Sequence, residues 1–169
     1  MTWDKADLDF ETIQQRQLLA RLMKSVGLFE GFSAEDLKAL LGNAERRVFD
    51  EGEFIIREGE EGDFMYLILA GRVANTKRLE SGDGKPLAVF EPGDCFGEMS
   101  LLDSETRSAS AQAVSRCLLL RLNDANLEGK DAIGAKLYRN VARQLSRRLR
   151  HTNAMISLLL ADENGAGRP

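Results

Sequence analysis

Between residues 44 and 122 the chain alternates short apolar segments with glycine-centred turns, and this punctuation limits the fold more than any other feature. The apolar segments fall at 47–49, 54–56, 65–70, 72–76, 87–90, 109–114 and 117–122. Turn residues separate them at 50–52, 59–63, Gly71, 81–84 and 92–94. Regularly spaced short strands with turn signals between them argue an antiparallel sandwich or barrel. Ser81-Gly82-Asp83-Gly84 is the clearest hairpin turn, because its Gly-Asp-Gly tolerates positive φ.

Helical patterns flank this region. From residue 8 to 41, Ile13, Leu18, Leu22, Met23 and Val26 recur at helical spacing until Gly27 interrupts them. Ser33 then occupies an N-cap position with Asp36 three residues on, and Leu37, Leu40 and Leu41 form an apolar face. The expectation is two helices joined by a short kinked connection. On the other side, Asn123 or Asp124 caps a short helix, Gly129 breaks it, and a long helix spans about 132–160. Within it Tyr138, Val141, Leu145, Arg148, Thr152, Met155 and Leu159 alternate at spacings of 3 and 4, the seam of a coiled coil, which Leu149 and Ile156 widen. Such a stripe packs back on the β region or pairs with a second copy, and both arrangements stay open. Arg148 and Thr152 are costly in a plain zipper, so they point to something polar facing them. Residues 162–169 are Gly-rich and polar and are expected to be disordered.

Composition excludes several functions. The N-terminus lacks a basic region followed by an apolar one, so it does not read as a secretory signal. Apolar runs such as 65–70 and 158–161 are too short to span a bilayer. Cys95 and Cys117 form no CxxC or paired metal pattern and read as reduced, part-buried thiols of a cytoplasmic protein. His151 is the only histidine, so a zinc site built on several imidazoles is excluded and no metal is expected. A net charge of -4 does not favour nonspecific nucleic-acid binding.

The chemistry concentrates at 95–110, Cys-Phe-Gly-Glu-Met-Ser-Leu-Leu-Asp-Ser-Glu-Thr-Arg-Ser-Ala-Ser. Gly97 ends a strand and opens a helical turn, a place where backbone can approach an anion closely. Arg107 supplies a planar cation suited to phosphate oxygens, and Ser108 adds a hydroxyl and an N–H. Glu98 would repel a phosphate unless it meets another part of the ligand, such as a sugar hydroxyl. A small phosphorylated ligand bearing a hydroxyl fits these residues. A surface ion pair between Glu98 and Arg107, worth at most about 1 kcal/mol, fits the spacing equally well.

Phe96 to Leu102 followed by Arg107-Ser108-Ala109-Ser110 resembles the phosphate-binding cassette of cyclic-nucleotide-binding domains. Ile55-Ile56-Arg57-Glu58-Gly59, Gly62-Asp63-Phe64-Met65-Tyr66, Gly71 and Pro92-Gly93-Asp94 are similar to that family's strands and turns. The resemblance covers about 28–122 and continues into the long helix. It implies an α+β, mainly β fold: an antiparallel β-roll or jelly-roll barrel with N-terminal helices and a long C-terminal helix. The divisions are then a helical lead-in at 1–43, the β-roll at 44–123 with its cassette at 95–110, the short and long helices at 124–161, and the tail at 162–169. The resemblance further implies that Glu98 accepts the ribose 2′-hydroxyl, Arg107 pairs the cyclic phosphate, Ser108 hydrogen-bonds a phosphate oxygen, and Gly97 and Met99 contribute backbone contacts. These roles need no bond-making, which implies a sensor without catalytic residues or a cofactor.

Laid on the bacterial catabolite-activator type of this family, Arg148 falls where a helix arginine stands and Thr152 where a hydroxyl meets the adenine amino group. Asn153 falls where a residue reaches the ligand of the other subunit. This implies cAMP, with cGMP as the other candidate, and a homodimer through the long helix. The downstream protein partner is unknown. Such activators continue into a helix-turn-helix, and residues 162–169 cannot supply one, so no DNA-binding module is expected in this chain. The basic cluster Lys136, Arg139, Arg143, Arg147, Arg148 and Arg150 reads as a solvated helix face plus ligand-facing arginines. The alternative function is a scaffold or dimerisation protein of the same fold that binds no cyclic nucleotide.

Overall fold

A computed structural model describes residues 26–42, 44–78 and 84–165. The first helix expected from the sequence and the turn residues 81–83 lie outside the described residues. The described chain opens with a 3-10 turn at Gly27–Phe29 and helix α1 at Ala34–Leu41. Eight strands follow: β1 Glu45–Phe49, β2 Phe54–Ile56, β3 Phe64–Ala70, β4 Val73–Arg78, β5 Gly84–Phe90, β6 Cys95–Phe96, then, after helix α2 at Glu98–Asp103, β7 Ser110–Ala113 and β8 Cys117–Asn123. A 3-10 turn at Asp124–Asn126 leads to the long helix α3 at Asp131–Gly165.

The strands form two antiparallel four-stranded sheets, ordered β1-β8-β3-β6 and β2-β7-β4-β5. Two packed antiparallel sheets agree with the sandwich or barrel argued from the Gly-punctuated stretch and with the mainly β jelly roll that the family resemblance implied. β4 and β5 pair down to Arg78↔Gly84, the foot of the expected hairpin. β6 is the short strand expected to end at Gly97, only two residues long.

Alternation along β3 and β8 shows how the layers are built. Met65, Leu67, Leu120 and Leu122 join Leu28, Phe29, Leu37, Leu40, Leu137 and Val141 in a core between the first sheet and the helices. Tyr66, Ile68, Cys117 and Leu119 face the other way, into a second core with Ile56, Val73, Phe90 and Phe96 between the two sheets. Both faces of β3 and β8 are therefore covered, which is why these segments read as continuous apolar runs rather than as alternating ones.

Local chemistry fixes the helices in place. Ser33 Oγ accepts from the Asp36 N–H at 3.1 Å and Asp36 Oδ2 accepts from the Ser33 N–H at 2.8 Å, a complete capping box. Lys136 of α3 donates to the same Asp36 oxygen at 2.6 Å. Asn140 of α3 is buried and donates to the carbonyls of Leu28 and Glu30 at 2.9 and 2.8 Å. Two N-terminal carbonyls and a buried amide thus satisfy one another. Part of the basic cluster is spent in these intramolecular pairs, Lys136 on Asp36 and Arg143 on Glu30 at 3.2 Å.

At its other end α3 departs from expectation. The tail at 162–169 was expected to be disordered, yet the helix continues through Gly165, with 166–169 outside the described residues. Asp162, Glu163 and Asn164 are polar but do not forbid helix, and the chain turns Gly-rich only from Gly165.

Candidate functional site

The site forms where β6 gives way to α2. Gly97 adopts φ 76° and ψ 7°, the left-handed region that glycine enters without steric cost. A Cβ there would lie 2.9 Å from Arg107 Nη1 and 3.0 Å from Ile56 Cδ1. Position 97 therefore needs glycine twice over, for its backbone angle and for the guanidinium packed against it.

Arg107 is 3% exposed. Its Nη1 donates to the carbonyls of Gly97 and Phe64 at 2.7 and 2.8 Å. Its backbone is held as well, N–H on the Glu60 carbonyl at 2.8 Å and carbonyl accepting from the Gly59 N–H at 2.9 Å. A Cβ at Gly62 would fall 2.3 Å from Nη2, so the guanidinium lies flush on glycine backbone. Nε and Nη2 are buried and make no hydrogen bond among the described residues. Burial holds the group below the ordinary guanidinium value. Leaving two donor nitrogens of a buried cation unpaired is costly, and an anion is the partner whose chemistry would offset that cost.

Glu98 is 4% exposed and faces α3, where Arg148 Nη1 donates to its Oε1 at 2.8 Å. Arg148 Nη2 donates to the Cys95 carbonyl, and its Cζ lies 4.5 Å from the centre of the Phe90 ring. Burial pushes the Glu98 carboxyl above its ordinary range, with Arg148 pulling against it and Arg107 adding a weaker pull. The surface Glu98–Arg107 ion pair that the spacing allowed does not form. Both side chains are buried, Arg107 turns Nη1 onto two carbonyls, and Glu98 takes its cation from a helix 50 positions away.

Ser108 Oγ lies 3.7 Å from Met99 Sδ, and the Ser108 carbonyl accepts from Lys77 Nζ at 3.2 Å. Gly97, Glu98, Met99, Arg107 and Ser108 line one cavity of about 1100 Å³, and Arg148 and Thr152 close it from α3. Asn153 does not line it; its carbonyl accepts from Ser157 Oγ within the helix. The coiled-coil seam is thereby divided along its length. Val141 is buried and Leu145 packs on the core, while Arg148, Thr152, Met155 and Leu159 face the cavity. The apolar residues of the last turns are largely exposed, with Leu158 at 68%.

The sequence reading missed the apolar wall formed by Leu87 and Val89 of β5, together with the polar Asn75 and His151. Leu87 and Val89 lie on an edge strand and are largely exposed, at a point where the β4–β5 register shifts. An apolar run on an edge strand was legible, but a register shift that turns it toward the cavity was not. His151 carried no signal beyond its place beside Thr152.

With this geometry described, comparison with known proteins identifies the class. The family model for the cyclic nucleotide-binding domain matches residues 46–130, and the chain belongs to that family. It is 36% identical over 141 residues to the cyclic AMP receptor protein of Thermus thermophilus, covering 83% of this chain and 65% of that protein. The solved catabolite activator protein of Thermus thermophilus superposes with a TM-score of 0.70 at 35% identity, over 79% of this chain and 62% of that one. The regulatory domain of Toxoplasma gondii PKA, solved with cAMP, superposes with a TM-score of 0.63 at 28% identity, over 74% of this chain and 48% of that one. The chain thus spans just under two thirds of the length of the curated receptor it matches. No helix among the described residues is long and apolar enough to cross a membrane.

Proposed function

We propose that this chain is a cytoplasmic cyclic-nucleotide sensor whose ligand is cAMP and whose output is the position of α3. The observation that carries the reading is Arg107: a buried guanidinium with Nε and Nη2 unpaired, lining the same cavity as Glu98. The cyclic phosphate meets Arg107 and Ser108, the ribose 2′-hydroxyl donates to Glu98, and the base extends toward Thr152. The names of two similar proteins, a cyclic AMP receptor and a kinase regulatory domain solved with cAMP, support the choice of ligand. Nothing in these contacts makes or breaks a covalent bond, so the role is binding rather than catalysis.

Coupling to the helix follows from Glu98 serving two partners. Its carboxylate is paired with Arg148 of α3, and a ribose hydroxyl would share that oxygen-rich end. A ligand shifts the helix only by its differential affinity for two helix positions, and Glu98 and Thr152 are where that difference arises. The exposed apolar residues of the later turns, Leu158, Leu159 and Leu160 among them, suit a homodimer formed through α3. Asn153 would then serve the partner's ligand.

Titration calorimetry with cAMP and cGMP tests the reading, and no heat at high micromolar ligand would overturn it in favour of a scaffold. Arg107→Ala is expected to cost on the order of 2–5 kcal/mol, about 30- to several-thousand-fold in affinity. A change under about threefold would remove Arg107 from the site.

A further inference from the structure

Phe64 sits directly behind the phosphate-binding arginine. Its carbonyl accepts from Arg107 Nη1 at 2.8 Å, and Arg107 Cζ lies 4.3 Å from the centre of its ring. The same ring carries a second guanidinium, Arg121 of β8, with Cζ at 4.0 Å. Arg121 is tethered in turn by Glu45 Oε2 at 3.3 Å and more loosely by Asp63 Oδ1 at 3.9 Å. Its Nε is buried and makes no hydrogen bond among the described residues, as is true of Nε and Nη2 of Arg107.

Two cations beside one ring repel each other, and the Arg121 charge joins burial in holding the Arg107 guanidinium below its ordinary value. The electron-rich face of an aromatic ring attracts a guanidinium, and the attraction strengthens when water is excluded. The ring therefore compensates donors that hydrogen bonds leave unpaired. It also holds the plane of Arg107 without consuming Nε or Nη2, which make no hydrogen bond among the described residues. A leucine of similar volume would fill the space and offer no such face.

We propose that Phe64 and Arg121 form a positioning pair for Arg107: the Phe64 ring sets the plane of the phosphate-binding guanidinium, and Arg121, anchored by Glu45, holds the ring in register. The proposal rests on Arg107 being the phosphate ligand. Phe64 and Arg121 act through Arg107 and touch no ligand themselves. Placing the guanidinium before the ligand arrives reduces the ordering cost of binding, so the pair acts on affinity.

Calorimetry with cAMP on the parent, Phe64→Leu, Phe64→Tyr and Arg121→Gln tests this. Phe64→Leu is expected to weaken binding about tenfold and Arg121→Gln about threefold, while Phe64→Tyr, which keeps the ring, stays within about twofold of the parent. A second readout needs no nucleotide: the side-chain Nε–H resonance of Arg107, identified by its absence from Arg107→Ala. In the parent it is expected to be sharp and shifted by the ring current, unchanged in Phe64→Tyr, and moved toward the free-arginine position in Phe64→Leu. A parent that binds no cyclic nucleotide but keeps this pattern would sink the ligand assignment and leave the positioning pair standing. Unchanged cAMP affinity or an unmoved resonance in Phe64→Leu, or equal losses in Phe64→Leu and Phe64→Tyr, would overturn the pair.

Discussion

Arg148 Nη1 donates to Glu98 Oε1 at 2.8 Å, joining the middle of the long helix to the first residue of the cassette helix. Glu98 is buried while the Arg148 side chain is 31% exposed, so the two ends of the pair respond differently to truncation. Removing Arg148 strands a buried carboxylate; removing the charge on Glu98 leaves an arginine that water can still reach.

Arg148→Ala is therefore expected to destabilise the protein by about 1–3 kcal/mol, below the range for a fully buried pair because solvent screens Arg148. Adding Glu98→Gln should return most of that loss. Urea unfolding of the two single variants and the double variant gives the coupling energy. Additive effects would show that the pair does not hold α3 to the cassette.

A pH dependence follows from the same carboxylate. Burial raises the Glu98 carboxyl above its ordinary 4.5, so the native state holds this proton more tightly than the unfolded chain does. Its contribution to stability is full below about pH 4.5 and is lost as pH rises through the native value. Glu98→Gln has no such proton, and its stability relative to the parent is expected to increase as pH rises above about 4.5 and to level off once the native carboxyl has titrated. Urea midpoints for both proteins across that range provide the check; a constant difference would contradict the burial of a charge at this position.

Gly62→Ala tests the other wall of the site. The new Cβ would lie 2.3 Å from Arg107 Nη2, and glycine is not needed there for its backbone angle. The guanidinium must shift, so cAMP affinity is expected to fall about tenfold and folding stability by about 1–3 kcal/mol. An affinity within twofold of the parent would show that Arg107 has room the structure does not suggest.

Thr152→Ala separates the two purines. A hydroxyl on the adenine amino group is expected to matter for cAMP and little for cGMP, a difference of about 1 kcal/mol for one neutral hydrogen bond. Paired titrations with both nucleotides measure it, and equal losses would leave Thr152 bonded within its own helix.

The parts of the fold that follow a period were legible from residues alone. The Ser33–Asp36 box, the Gly-bounded strands and the 3-4 alternation of α3 are local signals, each contained within a few turns of chain. The cassette was legible too, because Gly97, Glu98, Arg107 and Ser108 lie within twelve positions of one another. Contacts that close over long loops were not. Nothing near Glu98 announces Arg148, and nothing near Arg107 announces that Phe64, 43 positions earlier, would lie under its guanidinium. The same local spacing that revealed the cassette also suggested the Glu98–Arg107 pair, which burial rules out. Tail polarity was likewise a poor guide to where α3 ends, since a helix already nucleated over its first turns can run on through Asp162, Glu163 and Asn164.

Asn140, clamped on the carbonyls of Leu28 and Glu30, gives α3 a fulcrum. Beyond it the helix packs through Val141 and Leu145 and then stands largely clear, as a lever arm does. At 1.5 Å of rise per residue, the arm from Val141 to Leu159 is about 27 Å long, so a tilt of about 10° at its base would carry Leu159 about 5 Å. In the proposed coupling, a displacement of an ångström or so where Glu98 meets Arg148 would be magnified before it reached the exposed apolar end, and a partner bound there would sense the enlarged stroke rather than the binding event itself.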